Sequence, residues 1–342
     1  MTKSRIFYFD NLRIVATFAV VLLHAAAPIL YKFQTVTSTT WWTGNIYDSL
    51  TRWCVPIFFM LSGALLLNPD RTDKPMIFIR KRISKVIIPL LGWSTFYLIV
   101  QINREVIIND PFMITKAFFE NDIYYHLWFL YVIIAIYLIL PVLKVYIAGA
   151  SQKNLQYYLL LCFIVTSVFS YISKFHEVTV DIKVEAATGY IGYFLLGYYL
   201  HRYGLSRITK IVMYLLAIIA SIVIIRGTYD LTVQNEGFFD GFFYHYLNMP
   251  VVFLSIAVFI FFQDFKFDLG RFFLFSLINK TSLGIYLLHP YIFLLLLENY
   301  DIHAHTVRAW AGIPILATFT LLVSMIVVMI LQKIPVVKRF VP

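Results

Sequence analysis

Ten apolar runs, each long enough or nearly long enough to cross a bilayer, divide this chain, and they constrain its fold more than any other feature. They lie at about 12–31, 51–68, 86–103, 126–143, 155–173, 188–200, 211–225, 246–263, 281–297 and 309–332. Lipid offers no partner to backbone N–H or C=O groups, so each run is expected to be helical. Composition points the same way. The residues are 61% hydrophobic and 13% charged, against roughly half and a quarter in ordinary globular chains. That balance excludes a soluble enzyme, a disordered chain and a disulfide scaffold. The expected fold is an all-α polytopic membrane protein of about ten transmembrane helices. No polar stretch is long enough for a second domain, and no internal repeat or Pro/Gly-rich linker interrupts the pattern. Residues 1–342 are therefore read as one integral-membrane domain.

The loops supply the orientation. Nineteen of the 28 Lys and Arg residues fall in one alternating set of loops and eight in the other, with Arg13 at the start of the first run. The positive-inside rule places the richer set, and with it both termini, in the cytoplasm. The formal net charge of +10 is then membrane-surface charge facing anionic lipid, and no nucleic-acid partner is expected. The N-terminus has basic residues, an apolar run and Ala25-Ala26-Ala27, as a signal peptide would. Asp10, Arg13 and His24 interrupt that pattern, so it reads as a retained first helix. Cys54 and Cys162 both sit in apolar runs and read as small core residues.

Ionisable groups inside a bilayer are costly and are candidates for function. The first helix holds the best constellation. From Arg13 to His24 the helix turns about 1100°, roughly 20° beyond three full turns, and from Asp10 to His24 it stops about 40° short of four. All three therefore share one face, with Thr17 and Val20 between them. At 1.5 Å per residue Arg13 and His24 are about 16 Å apart along the axis. Arg13 is expected near the cytoplasmic boundary and His24 beyond mid-bilayer. Desolvation favours a neutral imidazole there, the form a general base needs. The plainer alternative is a buried histidine bonded to a neighbouring helix. Asp10 and Arg13 also fit an ordinary i,i+3 pair at a helix start.

Three further features stand out. The basic stretch 70–85, read as a cytoplasmic loop, ends in Arg80, Lys81, Arg82 and Lys85. It suits a phosphorylated ligand or an anionic headgroup, or is simply a positive-inside anchor. His126 and Trp128 open the fourth run and are either a sugar-stacking rim or part of an aromatic belt. His289-Pro290 pairs a polar residue with a helix breaker, as a kink beside a cavity or a helix end. Arg52 enters the second run from outside and either snorkels or points inward. His303 and His305 are two apart, without an obvious carboxylate or cysteine partner, so no metal site is expected. Walker, dinucleotide, HExxH and GxSxG motifs are all missing from the sequence.

Taken together, these segments resemble the membrane-bound acyltransferase 3 family. Phe9-Asp10-Asn11-Leu12-Arg13 followed by an apolar helix and His24 looks like its opening motif. Val55-Pro56-Ile57-Phe58-Phe59-Met60-Leu61-Ser62-Gly63 looks like its second-helix motif, and Arg80 to Pro89 like its basic segment before the third helix. Thr281 to Pro290 looks like its Gly-Ile-Tyr-Leu-His-Pro segment. The nearest form is the short one without an appended hydrolase-like domain, similar to members that acetylate enterobacterial common antigen and other surface glycans. One departure stands out: the family's Arg-x-x-Arg is Arg82-x-x-Lys85 here, and lysine lacks the bidentate fork.

The resemblance implies a cell-membrane O-acetyltransferase. It would move acetyl from cytoplasmic acetyl-CoA to a hydroxyl of a surface or lipid-linked glycan, with no bound cofactor. His24 would be the base. Arg13, oriented by Asp10, would hold part of the donor. Arg80, Lys81, Arg82 and Lys85 would dock the nucleotide end of coenzyme A, and Arg52, His126, Trp128 and His289 would shape the acceptor side. The rival readings are a secondary transporter or glycan exporter, which intramembrane His and Arg also suit, and a non-catalytic membrane module.

Overall fold

The computed structural model describes residues 6–67, 75–176, 178 and 185–341, with the side chains of 75–82 and 185–188 outside that description. The described residues form helices and no strand. Each expected apolar run falls on one. In chain order these are α1 (Phe7–Leu30), α2 (Ser38–Thr51), α3 (Cys54–Leu66), α4 (Pro75–Asn103), α5 (Pro111–Phe119), α6 (Trp128–Gly149), α7 (Gln152–Phe163), α8 (Phe169–His176), α9 (Glu185–Tyr203), α10 (Arg207–Gln234), α11 (Met249–Asp264), α12 (Phe273–Tyr300) and α13 (Ala309–Leu331). One π turn, Ile164–Val168, joins α7 to α8. Nine spans among the described residues are long and apolar enough to cross a membrane. The protein is therefore an all-α, multi-pass membrane protein. The tenth expected run lies on α9, a 19-residue helix broken at Gly189, and is not one of those nine.

Two boundaries differ from the sequence reading. The second span begins at Ser38 rather than near 51, because polar α2 leads into apolar α3. Hydropathy passes over α2 since it carries Asn45, Asp48, Ser49 and Thr51, all of which are buried. The basic stretch read as a loop to residue 85 is helical from Pro75 onward. Proline suits the first turn of a helix, and Lys and Arg are good helix formers.

Helix starts are marked by side-chain caps. Thr37, Ser151 and Ser206 accept from the backbone N–H three residues on, and Asp110 caps α5 ahead of Pro111. α1 sits centrally, packed against α2, α3, α11, α12 and α13. Its polar residues pin it in place. Asn11 Nδ2 donates to the Phe267 carbonyl at 2.6 Å, and its Oδ1 accepts from the Leu269 N–H at 2.9 Å. At the other end Trp41 Nε1 donates to the Leu30 carbonyl at 3.1 Å. Cys54 and Cys162 are free and buried.

Helices in lipid gain little from apolar burial against one another, so close backbone approach matters more. α3 and α9 meet in this way. A side chain at Gly63 would run into the backbone of Phe194, and one at Gly197 into the backbone of Met60. The two glycines thus let each helix rest on the other's main chain. Gly63→Ala or Gly197→Ala should each lower the detergent melting temperature, by about 1–3 kcal/mol of overpacking. Gly149→Ala, where a methyl group meets nothing within 4 Å, should shift it far less. Thermal unfolding of the three purified variants checks this.

Candidate active site

α1 and α12 run parallel and are joined by polar contacts at two levels. At the first, Arg13 Nη1 donates to Asn279 Oδ1 at 3.0 Å and lies 3.4 Å from Asp10 Oδ1. Asn279 Nδ2 donates to the same Asp10 oxygen at 2.8 Å, closing a three-residue network. Eleven residues further along α1 and ten along α12, His24 Nδ1 lies 2.9 Å from His289 Nε2. The face inferred for Asp10, Arg13 and His24 is therefore the one α1 turns toward α12. Thr17, between them, is buried and donates to the Arg13 carbonyl at 2.7 Å.

The histidine pair has a defined proton arrangement. His289 Nδ1 faces the Ile285 carbonyl at 3.1 Å. A carbonyl only accepts, so Nδ1 carries the proton and the neutral ring presents Nε2 as an acceptor. His24 Nδ1 then donates to it, which leaves His24 Nε2 as the free lone pair. The tautomers follow from the bonding pattern.

His24 lines a cavity of about 200 Å³ bounded also by Pro28, Lys32, Tyr124, Tyr125, Pro290, His303 and His305. The two prolines open this space. Pro28 cannot donate to the His24 carbonyl, nor Pro290 to that of Tyr286, so both helices lose a backbone bond here. A second cavity of about 190 Å³ has Arg13, Ser62 and Tyr137 among its lining residues and reaches Tyr286. Tyr286 stands one helical turn before His289, and its hydroxyl donates to the His126 carbonyl. A layer of Tyr286, His126 and the histidine pair thus separates the two cavities.

The remaining candidates sort themselves around this layer. His126 is 1% exposed, ringed by Tyr97, Tyr124, Tyr125 and Tyr286, with its centroid 6.0 Å from that of His289. Among the described residues neither ring nitrogen has a partner of ordinary hydrogen-bond geometry, although the Leu287 backbone lies close to the ring. Arg52 points inward, as one of its two expected alternatives. It pairs with buried Asp48 on the preceding turn and stacks on Tyr244 at 4.1 Å. Trp128 stacks on Tyr246, which also lies under Arg52. Arg52 and Trp128 thus form a neighbouring cluster and do not line the His24 cavity. Lys85 is exposed on α4, while the side chains of Arg80, Lys81 and Arg82 lie outside the described residues. Among the described residues no group of three His, Cys, Asp or Glu could hold a metal.

The chain matches the family model of an acyltransferase domain over residues 6–331. It belongs to the acyltransferase 3 family. No curated protein and no solved structure matches it. The matched span of this membrane acyltransferase contains both polar levels and both cavities.

Three residues of these polar clusters were missed from sequence. Asn279 was not among the candidates, and Tyr286 entered only as part of the Thr281–Pro290 segment. Asp48 fell outside every apolar run. Its position four residues before Arg52, the i,i+4 spacing of a helical ion pair, was the available signal. Asn279 is the member whose role in holding α1 to α12 is most directly testable. Asn279→Leu removes two hydrogen bonds across that seam and should cost about 1 kcal/mol. Its detergent melting temperature should fall, whereas that of Lys280→Ala, at an exposed position, should not.

Proposed function

We propose that this acyltransferase moves an acetyl group from acetyl-CoA to a hydroxyl of a cell-surface or lipid-linked glycan, with His24 as the general base. The carrying observation is the chain from the Ile285 carbonyl through His289 to His24, with a cavity on either side of its layer. In this reading both termini are cytoplasmic and the protein resides in the cell membrane. The donor enters on the Arg13 side, and the acceptor occupies the cavity beside His24.

The geometry supports this chemistry. Coenzyme A is a charged nucleotide on a long, thin arm ending in sulfur. The basic start of α4, with Arg80, Lys81, Arg82 and Lys85, offers charge for the nucleotide end. Arg13 lines the inner cavity and faces the arm with its guanidinium held by Asp10 and Asn279. About 16 Å of α1 separates Arg13 from His24, so Arg13 acts on the carrier and not on the reacting carbonyl. His24 Nε2 removes the proton from the acceptor hydroxyl as its oxygen attacks the thioester carbonyl. The C–S bond then breaks, and the leaving sulfur takes the proton back from the imidazolium. His289 does not touch the acceptor. It positions His24, holding Nδ1 protonated so that Nε2 faces outward. His126 offers the acyl group a ring N–H within the layer it must reach.

General-base catalysis is typically worth about 10²–10⁴-fold in rate. His24→Ala should therefore lose at least about 10²-fold in acetyl-CoA turnover while still binding the donor. His289→Ala should lower kcat with little change in the KM for acetyl-CoA. His289→Gln, which keeps an acceptor for the His24 N–H, should recover part of that loss. Coenzyme A release by purified protein in detergent, with a pool of surface oligosaccharides as acceptors, measures all three. Undiminished turnover in His24→Ala would refute its role as base.

A further inference from the structure

The cavity beside His24 has a chemical bias not explained by acyl transfer to a hydroxyl alone. Besides His24, its polar lining is Lys32 just beyond α1, Tyr124 and Tyr125 from the segment before α6, and His303 and His305 from the α12–α13 connection. Lys32 only donates and carries a positive charge, while the tyrosine hydroxyls and the imidazoles can donate or accept. No carboxylate or amide side chain lines the cavity among the described residues. A neutral sugar gives an ammonium no opposite charge to meet, whereas an anion does. This lining supplies a positive charge and, among the described residues, no negative one.

The lining is a built structure. Ala304 is buried and packs with Ala25, Ala26 and Ile29 of α1, which anchors the connection against the bundle. Gly312 of α13 permits that anchoring, since a side chain there would run into the Ala304 carbonyl. His303 and His305 flank this anchor, with ring centroids 5.0 Å apart, and both line the cavity. The nearest carboxylate, Asp301, is outward and exposed, and is held by His303 Nε2 at 2.9 Å. Lys32 has no carboxylate partner among the described residues and stands close enough to His305 to act on it electrostatically. Burial, with Lys32 and His303 adding to it, holds His305 below its ordinary pKa. At neutral pH His305 is therefore an uncharged imidazole, able to donate a hydrogen bond, beside the Lys32 ammonium. A lysine in a pocket that no carboxylate lines favours an anionic ligand.

We propose that the acceptor is anionic, with a carboxylate or phosphate lodged between Lys32 and His305 while its hydroxyl faces His24. The inference rests on the transferase reading for the hydroxyl and on the cavity alone for the charge. Tyr124 and Tyr125, tilted against each other with ring centroids 5.1 Å apart, give the sugar ring an aromatic wall. Lysine meets the anion as a point charge, so either a uronic acid or a phosphodiester-linked unit satisfies the geometry.

Binding to the full chain in detergent tests this without requiring turnover. The probes are a fluorescently labelled tetragalacturonate, its carboxyl-reduced neutral counterpart and a glycerol phosphate tetramer. The wild type should bind one of the charged probes at least about tenfold tighter than the neutral one, the scale of a charge-assisted hydrogen bond. Lys32→Gln should abolish that preference and Lys32→Arg should restore most of it. Whichever charged probe wins tells a carboxylated sugar from a phosphate-bearing one. Equal affinity for charged and neutral probes, including no binding of any, overturns the proposal, as does a preference that survives Lys32→Gln. Coenzyme A release by the same preparations is scored separately. Turnover without charge preference sinks this inference alone, and charge preference without turnover sinks the transferase reading alone.

Discussion

The pairing of α1 with α12 through polar contacts at two depths is the constraint on which the rest of the site depends. In lipid, two apolar helices have little reason to prefer one register over another, because sliding exchanges one apolar contact for a similar one. Asp10, Arg13 and Asn279 at one level and His24 with His289 at the other remove that freedom. Each group would be left unsatisfied by a shift of a single turn, about 5.4 Å. The two levels lie eleven residues apart on one helix and ten on the other, so they can be satisfied together only when the helices run parallel at nearly equal rise.

Buried charge elsewhere follows the same logic. Arg52 and Asp48 are paired one turn apart, and the guanidinium lies on the Tyr244 ring. Tyr244 in turn donates to Asn45 Oδ1 at 2.6 Å, while Asn45 Nδ2 reaches the Ile225 carbonyl at 2.8 Å. α2 is thus a polar helix made tolerable inside the bundle by partners on α10 and beside α11. It forms a wall near the histidine layer that could not be built from apolar residues alone, because Arg52 would then be an uncompensated charge in a poor solvent. The exception is Lys32, which sits at the rim where water can reach it.

Much of this was legible in the residues themselves. Helix existence follows from the length of the apolar runs, and each of the ten lies on a helix. The shared face of Asp10, Arg13 and His24 follows from turn arithmetic, since all three lie on one helix. What crosses between helices was not legible. The link from His24 to His289 spans 265 positions, and no local periodicity records which turn of α12 meets which turn of α1. His289 was therefore assigned to the acceptor side and His303 and His305 were set aside, although all three converge on the His24 cavity or its layer. α2 was missed for a different reason. Its burial is polar, and a hydropathy pattern detects only apolar burial.

The doubly fastened seam also has a mechanical consequence. Two bonded levels on one pair of helices act as two pins through one joint, and a joint with two pins neither slides nor swivels. α1 and α12 therefore form a stator. Whatever yields when substrates enter must belong to the parts facing it: the tyrosines before α6, the aromatic lining of the inner cavity and the connection carrying His303 and His305. A machine that rocked around α1, as alternating-access carriers rock around their central site, would have to break both levels on each cycle. This bundle is arranged instead to keep its histidine pair still while its surroundings adapt.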